Sequence, residues 1–166
     1  MTFYSIRTFD SAIETATFRC GQPAPDEYIH RYASQDVRRN VARVFIATPQ
    51  NDSRRLAGFF TLSAAGVRCS DLPQSLAKKL PHYPVPVALI GRLAVGNDFQ
   101  GKGLGSILLA DACQKVAHAS ATLAVVGIVV DAKNDAAASF YRHFGFVNLP
   151  GQPERLLLPA AAFQAN

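Results

Sequence analysis

The stretch QGKGLG, Gln100 to Gly105, places glycine at alternate positions behind a glutamine and directly ahead of the apolar run SILLADACQKVAHA. Its neighbours decide how it reads. Before it, VALIGRLAV (87–95) is the near-continuous apolar run of a strand buried on both faces. After it, the apolar spacing predicts a helix to about His118. A strand, a glycine turn and a helix start bring unpaired N–H groups and the positive end of a helix dipole to one point, and such a point holds phosphate. Glycine suits it because a Cβ would block close approach and disfavour positive φ. A tight helix start with no ligand is the alternative. Two phosphate loops are excluded. GxxxxGK followed by Ser or Thr is absent, because Lys102 precedes the last glycines. The dinucleotide fingerprint GxGxxG lacks its third glycine, since Ser106 and Leu108 stand where it would fall. Asp131, after the next apolar run, suits a ribose, but residues 132–166 are too few to complete a doubly wound sheet.

Working outward, Gly91 inside the apolar run predicts a bulge or a close approach to the backbone. TFYSIRTF (2–9) alternates like a strand, and Asp10 or Ser11 is expected to cap a short helix that Cys20-Gly21 stops. APDEYIHRYASQDVRRN (24–40) reads as a helix with Pro25 in its first turn and Asp26 and Glu27 at its positive end. ARVFIATP and LAGFFTLSAAGV form a hairpin across QNDSRR. DLPQSLAKKL (71–80) is a short helix, and PHYPVP a rigid, extended connector. TLAVVGIVV (122–130) is a second buried strand. Asn134 or Asp135 caps the helix DAAASFYRHF, which Gly145 ends, and RLLLP (155–159) is a last short strand. With no repeat and no linker, residues 1–166 read as one α/β domain.

Hydrophobic residues at 49% against 17% charged allow a sizeable core. The net charge of +5 suits a polyanionic partner, or simply a soluble basic protein. Cys20, Cys69 and Cys113 are odd in number and widely spaced, so they read as reduced, mostly buried thiols, and no metal site is expected. The N-terminus has no apolar leader, and LAVVGIVV is too short to span a bilayer. The expected location is cytoplasmic, with no membrane partner.

Read as Gln100, Gly103 and Gly105, the loop resembles the pyrophosphate loop of the GNAT family of N-acetyltransferases. RLAV stands before it as the family's fourth strand does, and NDAAASFYRHFGF (134–146) resembles the second family signature. That signature is an Asn-led helix with a Phe-Tyr pair and a Gly-Phe step into a strand. A narrower resemblance runs from Phe18 to Pro159: FRCG, DEYIHRYASQD, AGFFTLSAAGV, LIGRLAVG and RLLLP look like the acetyltransferase toxins of bacterial type II toxin–antitoxin pairs. The fold this implies is a central mixed and splayed β-sheet flanked by helices. The implied cosubstrate is acetyl-CoA, and the implied activity is acetylation of the α-amino group of aminoacyl-tRNA, which stops translation. The implied partner is a ribbon-helix-helix antitoxin; a homodimer stays open. Gly96 departs from the pattern, since the family usually has an acid there.

Under that resemblance, backbone groups of Leu93, Ala94 and Val95 bind the pantetheine arm and thioester like an added half-strand. Gln100, Gly101, Lys102, Gly103, Leu104, Gly105 and Ser106 hold the pyrophosphate. Asn134 either meets the pantetheine or is an ordinary N-cap. Acyl transfer to an amine expels a thiolate that needs a proton, and Tyr141 is the candidate general acid, its reference pKa of about 10 close to that of an alkyl thiol. The alternative for Tyr141 is a half-buried aromatic with its hydroxyl in water. His143 lies on another helical face.

VALIGRLAV holds no Asp, Glu or His to act as a base. A lysine amine of pKa about 10.4 needs one, whereas an α-amine of about 7.7–8.0 is partly neutral already. Arginine outnumbers lysine 12 to 5, which suits planar phosphate contacts and stacking on RNA. Arg92, a charge in an apolar strand, is expected either to contact the tRNA acceptor end or to sit in a buried salt bridge. Arg38, Arg39, Lys78 and Lys79 either widen a basic substrate face or are simply solvated. Two competing functions remain: a metabolic or protein N-acetyltransferase acting on a small amine or protein N-terminus, and an idle acetyl-CoA-binding module.

Overall fold

The computed structural model describes residues 3–164. Seven strands form one mixed sheet in the order β1-β2-β3-β4-β5-β7-β6. The strands are β1 (Tyr4–Thr8), β2 (Arg43–Pro49), β3 (Gly58–Val67), β4 (Val85–Val95), β5 (Gly127–Asp131), β6 (Val147–Leu149) and β7 (Gln152–Pro159). β4 and β5 pair in parallel, Ala88 opposite Ile128 through Ile90 opposite Val130. The pairs β1–β2, β2–β3, β5–β7 and β6–β7 are antiparallel. The helices are α1 (Pro23–Glu27), α2 (Ala33–Arg38), α3 (Gln74–Ala77), α4 (Leu104–Ala119) and α5 (Asp135–His143). A π-helical turn, Tyr28–Tyr32, joins α1 to α2.

The chain divides into two compact units, residues 3–63 with 91–112 and residues 64–90 with 113–164. In the first, Phe18, Tyr28, Ile29, Val44, Ile46, Leu56, Phe59 and Ala94 form the core. Aromatic contacts bind it: Phe18 meets Phe59 edge-on at 5.7 Å, and Tyr28 stacks on Phe59 at 6.3 Å between centroids. In the second, Val67, Leu72, Val85, Val87, Val129, Leu149 and Leu157 form an aliphatic core.

Several expectations need correction. Asp10 caps no helix: its carboxylate accepts from the Ala12 N–H at 2.9 Å and is tied to Arg7 at 3.0 Å, so a turn replaces the helix. The strand expected over 122–130 begins only at Gly127, because the N–H groups of Thr122 and Leu123 bond back to Ala119 and extend the end of α4 as a turn. β4 is not buried throughout: Gly91 and Arg92 are exposed, and Leu93 and Val95 half-buried. The helix over 24–40 carries a π turn that its spacing does not announce. Cys20 and Cys69 are buried and Cys113 is half-buried, all as thiols.

Candidate active site

The first unit holds the glycine loop. From the end of β4 the chain passes a 3₁₀ turn, Asn97–Phe99, whose Phe99 is buried. Gln100 then braces the corner: its amide Nε2 donates to the carbonyls of Cys20 at 2.9 Å and Val95 at 3.0 Å. Gln100 therefore shapes the loop instead of offering its amide to a ligand. Leu104 is likewise structural, buried at 1% exposure where it anchors the first turn of α4. Between these anchors, Gly101 and Gly103 take φ of +76° and +84°, a region that side chains resist. A Cβ at either would meet no atom within 4 Å, so backbone conformation explains these glycines and packing does not. The N–H of Ile107 closes the first turn onto Gly103 at 3.2 Å. The N–H groups of Leu104, Gly105 and Ser106 precede that bond and point out of the helix end, the geometry that binds an anion. Lys102 is exposed and its ammonium reaches the Asp98 carbonyl at 3.3 Å.

Directly upstream, the Gly96 N–H donates to the Ala57 carbonyl at 2.8 Å and Asn97 N–H to the Arg19 carbonyl at 2.7 Å. A Cβ at Gly96 would stand 3.2 Å from both the Ala57 oxygen and the Phe18 ring. This chain packs tightly where the resembled family places an acid. Beside it lies a cavity of about 510 Å³, lined among others by Glu14, Arg19, Arg54, Arg55 and Asp98. Its charges are mixed, with Arg55 paired to Asp98 at 2.8 Å and seated 4.9 Å over the Phe99 ring.

Arg92 sits in no buried salt bridge. Its guanidinium lies 3.7 Å from the Tyr28 ring centroid and is exposed on its outer side. No carboxylate pairs with it among the described residues. Its backbone N–H donates to the Thr61 hydroxyl at 3.0 Å, and a Cβ on Gly91 would come within 3.0 Å of that same oxygen. The close approach expected at Gly91 is thus made by a threonine. Arg38 and Arg39, at the end of α2, are exposed.

In the second unit, Asn134 is the N-cap of α5, its Oδ1 accepting from the Ala137 N–H at 2.8 Å. The cap uses only the oxygen, and the Asn134 NH₂ takes no part in it. Tyr141 is buried at 6% exposure among Phe140 and Phe146, and loss of water pushes its pKa up to about 12. Tyr141 is therefore a neutral O–H donor throughout the physiological range, which a general acid must be. His143 is exposed on the last turn. Lys78 and Lys79 are exposed beyond α3, and Lys78 lines a cavity of about 500 Å³ with Arg68, Cys69 and His82. Asp131 makes a two-pronged pair with Arg155, at 2.8 and 3.0 Å, across β5 and β7. That pairing leaves it no ribose to hold.

The sequence left out Tyr28, Asp36 and Thr61, which set Arg92. Tyr28 and Asp36 stand eight positions apart, a spacing that puts two α-helical residues on different faces, so only the π turn reveals the pair.

A glycine loop with positive φ between a sheet strand and a helix start is an anion-binding turn, and the second unit separately holds a buried, neutral tyrosine in its own helix. The acetyltransferase (GNAT) family profile matches residues 8–146, and the chain belongs to that family. It is 35% identical over 159 residues to a tRNA-acetylating toxin of Mycobacterium tuberculosis (strain ATCC 25618 / H37Rv), covering 95% of this chain and 93% of that one. It is 25% identical over 160 residues to a probable toxin TacT of Sinorhizobium fredii (strain NBRC 101917 / NGR234), covering 92% and 88%. Among solved structures, AtaT complexed with acetyl-methionyl-tRNAfMet superposes with a TM-score of 0.89 at 28% identity, covering 96% of each chain. AtaTR bound with AcCoA gives 0.85 at 29% identity, covering 96% and 95%. No helix among the described residues is long and apolar enough to cross a membrane.

Proposed function

We propose that this chain transfers acetyl from acetyl-CoA to the α-amino group of aminoacyl-tRNA and thereby blocks translation. The observation that carries the reading is the 35% identity to a tRNA-acetylating toxin over nearly the whole of both chains. The AtaT relatives solved with acetyl-methionyl-tRNAfMet and with AcCoA support the same substrate pair. Acetyl-CoA supplies an activated thioester. The N–H groups of residues 101–106 receive its pyrophosphate, and the backbone of Leu93–Val95 orients the pantetheine arm and thioester carbonyl. Asn134 steadies the same arm through its NH₂. As the amine nitrogen bonds to the acetyl carbon and the carbon–sulfur bond breaks, Tyr141 delivers its proton to the departing sulfur, and the amine's proton leaves to water. β4 offers no acid or imidazole as a base. An α-amine, of pKa about 7.7–8.0, tolerates that better than a lysine of about 10.4. Arg92, with Arg38, Arg39, Lys78 and Lys79, supplies the cationic contacts to RNA. A ribbon-helix-helix antitoxin restrains the enzyme in the cytoplasm; AtaT has been solved with its antitoxin AtaR, and KacTA with DNA.

The test is a labelled-acetyl assay with charged tRNA, deacylated tRNA and a lysine peptide as acceptors, run across a salt series. Charged tRNA alone should take label, and its apparent affinity should fall roughly linearly with log salt. Efficient, salt-insensitive labelling of the peptide with charged tRNA inert would transfer the reading to a protein or metabolic acetyltransferase.

A further inference from the structure

The π turn at Tyr28–Tyr32 has a geometric consequence in the first unit. In an α-helix residues about 100° apart per step return to one face after seven positions, and after eight they have passed it. A π turn takes up one extra residue, so the eighth position comes back into line. Tyr28 and Asp36 meet in this way: the Tyr28 hydroxyl donates to Asp36 Oδ2 at 2.9 Å. Tyr28 also stacks near-parallel to Phe59 at 6.3 Å between centroids, so its ring is held by that packing and at its tip. A face of that ring carries the Arg92 guanidinium at 3.7 Å from its centroid. A phenol donating to a carboxylate gains electron density in its ring, which strengthens the hold on a cation over the face. The tyrosine pKa is raised above its usual range by burial first and Asp36 second, so the hydroxyl stays a donor. The Arg92 backbone is fixed at the same time by Thr61, a buried residue. Among the described residues nothing accepts a hydrogen bond from the guanidinium, whose planar fork is held by one face and unused along its edges.

We propose that Tyr28 and Asp36 are positioning residues for the acceptor: they orient Arg92 as a stacked, edge-free fork that takes a phosphate at the 3′ end of the aminoacyl-tRNA. The inference rests on the proposed function and adds to it the two residues, neither on β4, that decide how Arg92 meets RNA. The guanidinium's N–H edges match a phosphate bidentately, which a free lysine ammonium does not.

The experiment is a double-mutant cycle on charged-tRNA acetylation, with acetyl-CoA affinity measured separately by calorimetry. Arg92→Ala should raise KM for charged tRNA about tenfold and leave kcat and acetyl-CoA affinity within about twofold. Asp36→Asn and Tyr28→Phe, which preserve volume, should each raise the same KM about two- to fivefold, and Arg92→Lys should resemble Arg92→Ala. Tyr28→Leu adds a larger step where it folds, and the two conservative variants carry the test where it does not. In the Arg92→Ala background, Asp36→Asn and Tyr28→Phe should have no further effect, because what they position is gone. A merely structural role would instead multiply with Arg92→Ala and disturb acetyl-CoA binding as well. Additive effects in an enzyme that acetylates charged tRNA overturn this inference alone. A wild-type enzyme that leaves charged tRNA unmodified while acetylating another amine overturns the proposed function and the inference with it.

Discussion

The Gln100–Ser106 loop and the Arg92 platform belong to the same unit and are built from opposite materials. The loop works through backbone N–H groups, and its side chains either vanish, as at Gly101 and Gly103, or turn away to brace it, as Gln100 does toward Cys20 and Val95. The platform works through side chains brought together from distant segments: Arg92 on β4, Tyr28 in the π turn and Asp36 in α2. A backbone site leaves its trace as glycine spacing within a few residues. A side-chain site leaves none until the chain is folded. The first is therefore broken by adding an atom, and the second by removing one.

The largest effect is expected from adding atoms to the loop. Gly103→Asp forces a φ of +84° on a residue that pays about 1–2 kcal/mol for it, and places a carboxylate where phosphate should lie. Acetyl-CoA affinity measured by calorimetry should fall at least about a hundredfold. Gly101→Ala supplies the contrast: its Cβ meets open space, so only the conformational cost remains and affinity should fall modestly. Equal affinity in a folded Gly103→Asp protein would move the pyrophosphate elsewhere.

Tyr141→Phe comes next, because it deletes one proton donor and no packing surface. kcat should fall about 10²- to 10⁴-fold while acetyl-CoA affinity holds. The buried phenol also has a pH signature. Its pKa is raised to about 12 in the fold against about 10 when unfolded. The stability it contributes is complete below about pH 10 and is lost as the pH climbs toward 12. An ultraviolet titration of tyrosinate should therefore lose a transition near pH 12 in Tyr141→Phe. Unchanged turnover in that variant would take Tyr141 out of the chemistry and leave the loop as the whole of the catalytic device.

How much the sequence discloses follows the same division. The strand before the loop and the helix after it, the hairpin over 42–67 and the helix capped by Asn134 were all legible, since each rests on local periodicity or a capping residue. The N-terminal helix expected after Asp10 was not, because its carboxylate spends its hydrogen bonds on Ala12 and Arg7. The late start of β5 was missed because Leu123 and its neighbours are apolar yet exposed, and an apolar run cannot tell a strand from the frayed end of a helix. Arg92 could be singled out as an anomalous charge. Its partner could not be named, because an aromatic face 64 positions upstream matches no ionic expectation.

Asn134→Ala tests a residue that stands on the border between the two kinds of site, with its oxygen committed to the helix cap and its NH₂ outside that cap. Loss of the Oδ1 cap should lower stability by about 1 kcal/mol, read as a shift in the thermal midpoint. If the NH₂ also meets the pantetheine arm, KM for acetyl-CoA should rise severalfold in the same variant. A change in melting alone would assign Asn134 to the helix.

The smallest effect is expected at Asp131, and it separates the acetyltransferase loop from the dinucleotide fold that QGKGLG superficially resembles. In a dinucleotide site the acid at the end of the second strand holds a ribose and its loss disables cofactor binding. Here both carboxylate oxygens face Arg155 on the neighbouring strand, and the hydrogen bond to Asp131 raises the arginine's pKa. The pair is partly exposed, with the two side chains 49% and 32% accessible, so solvent screening limits its worth to about 1 kcal/mol or less. Asp131→Asn should therefore lower the thermal midpoint only slightly and leave acetyl-CoA affinity unchanged, because the acid serves the sheet and not the ligand. The same substitution made together with Gly103→Asp should cost no more affinity than Gly103→Asp alone. A tenfold loss of acetyl-CoA binding in Asp131→Asn by itself would place the carboxylate in the cosubstrate site and require the loop's ligand to be drawn again.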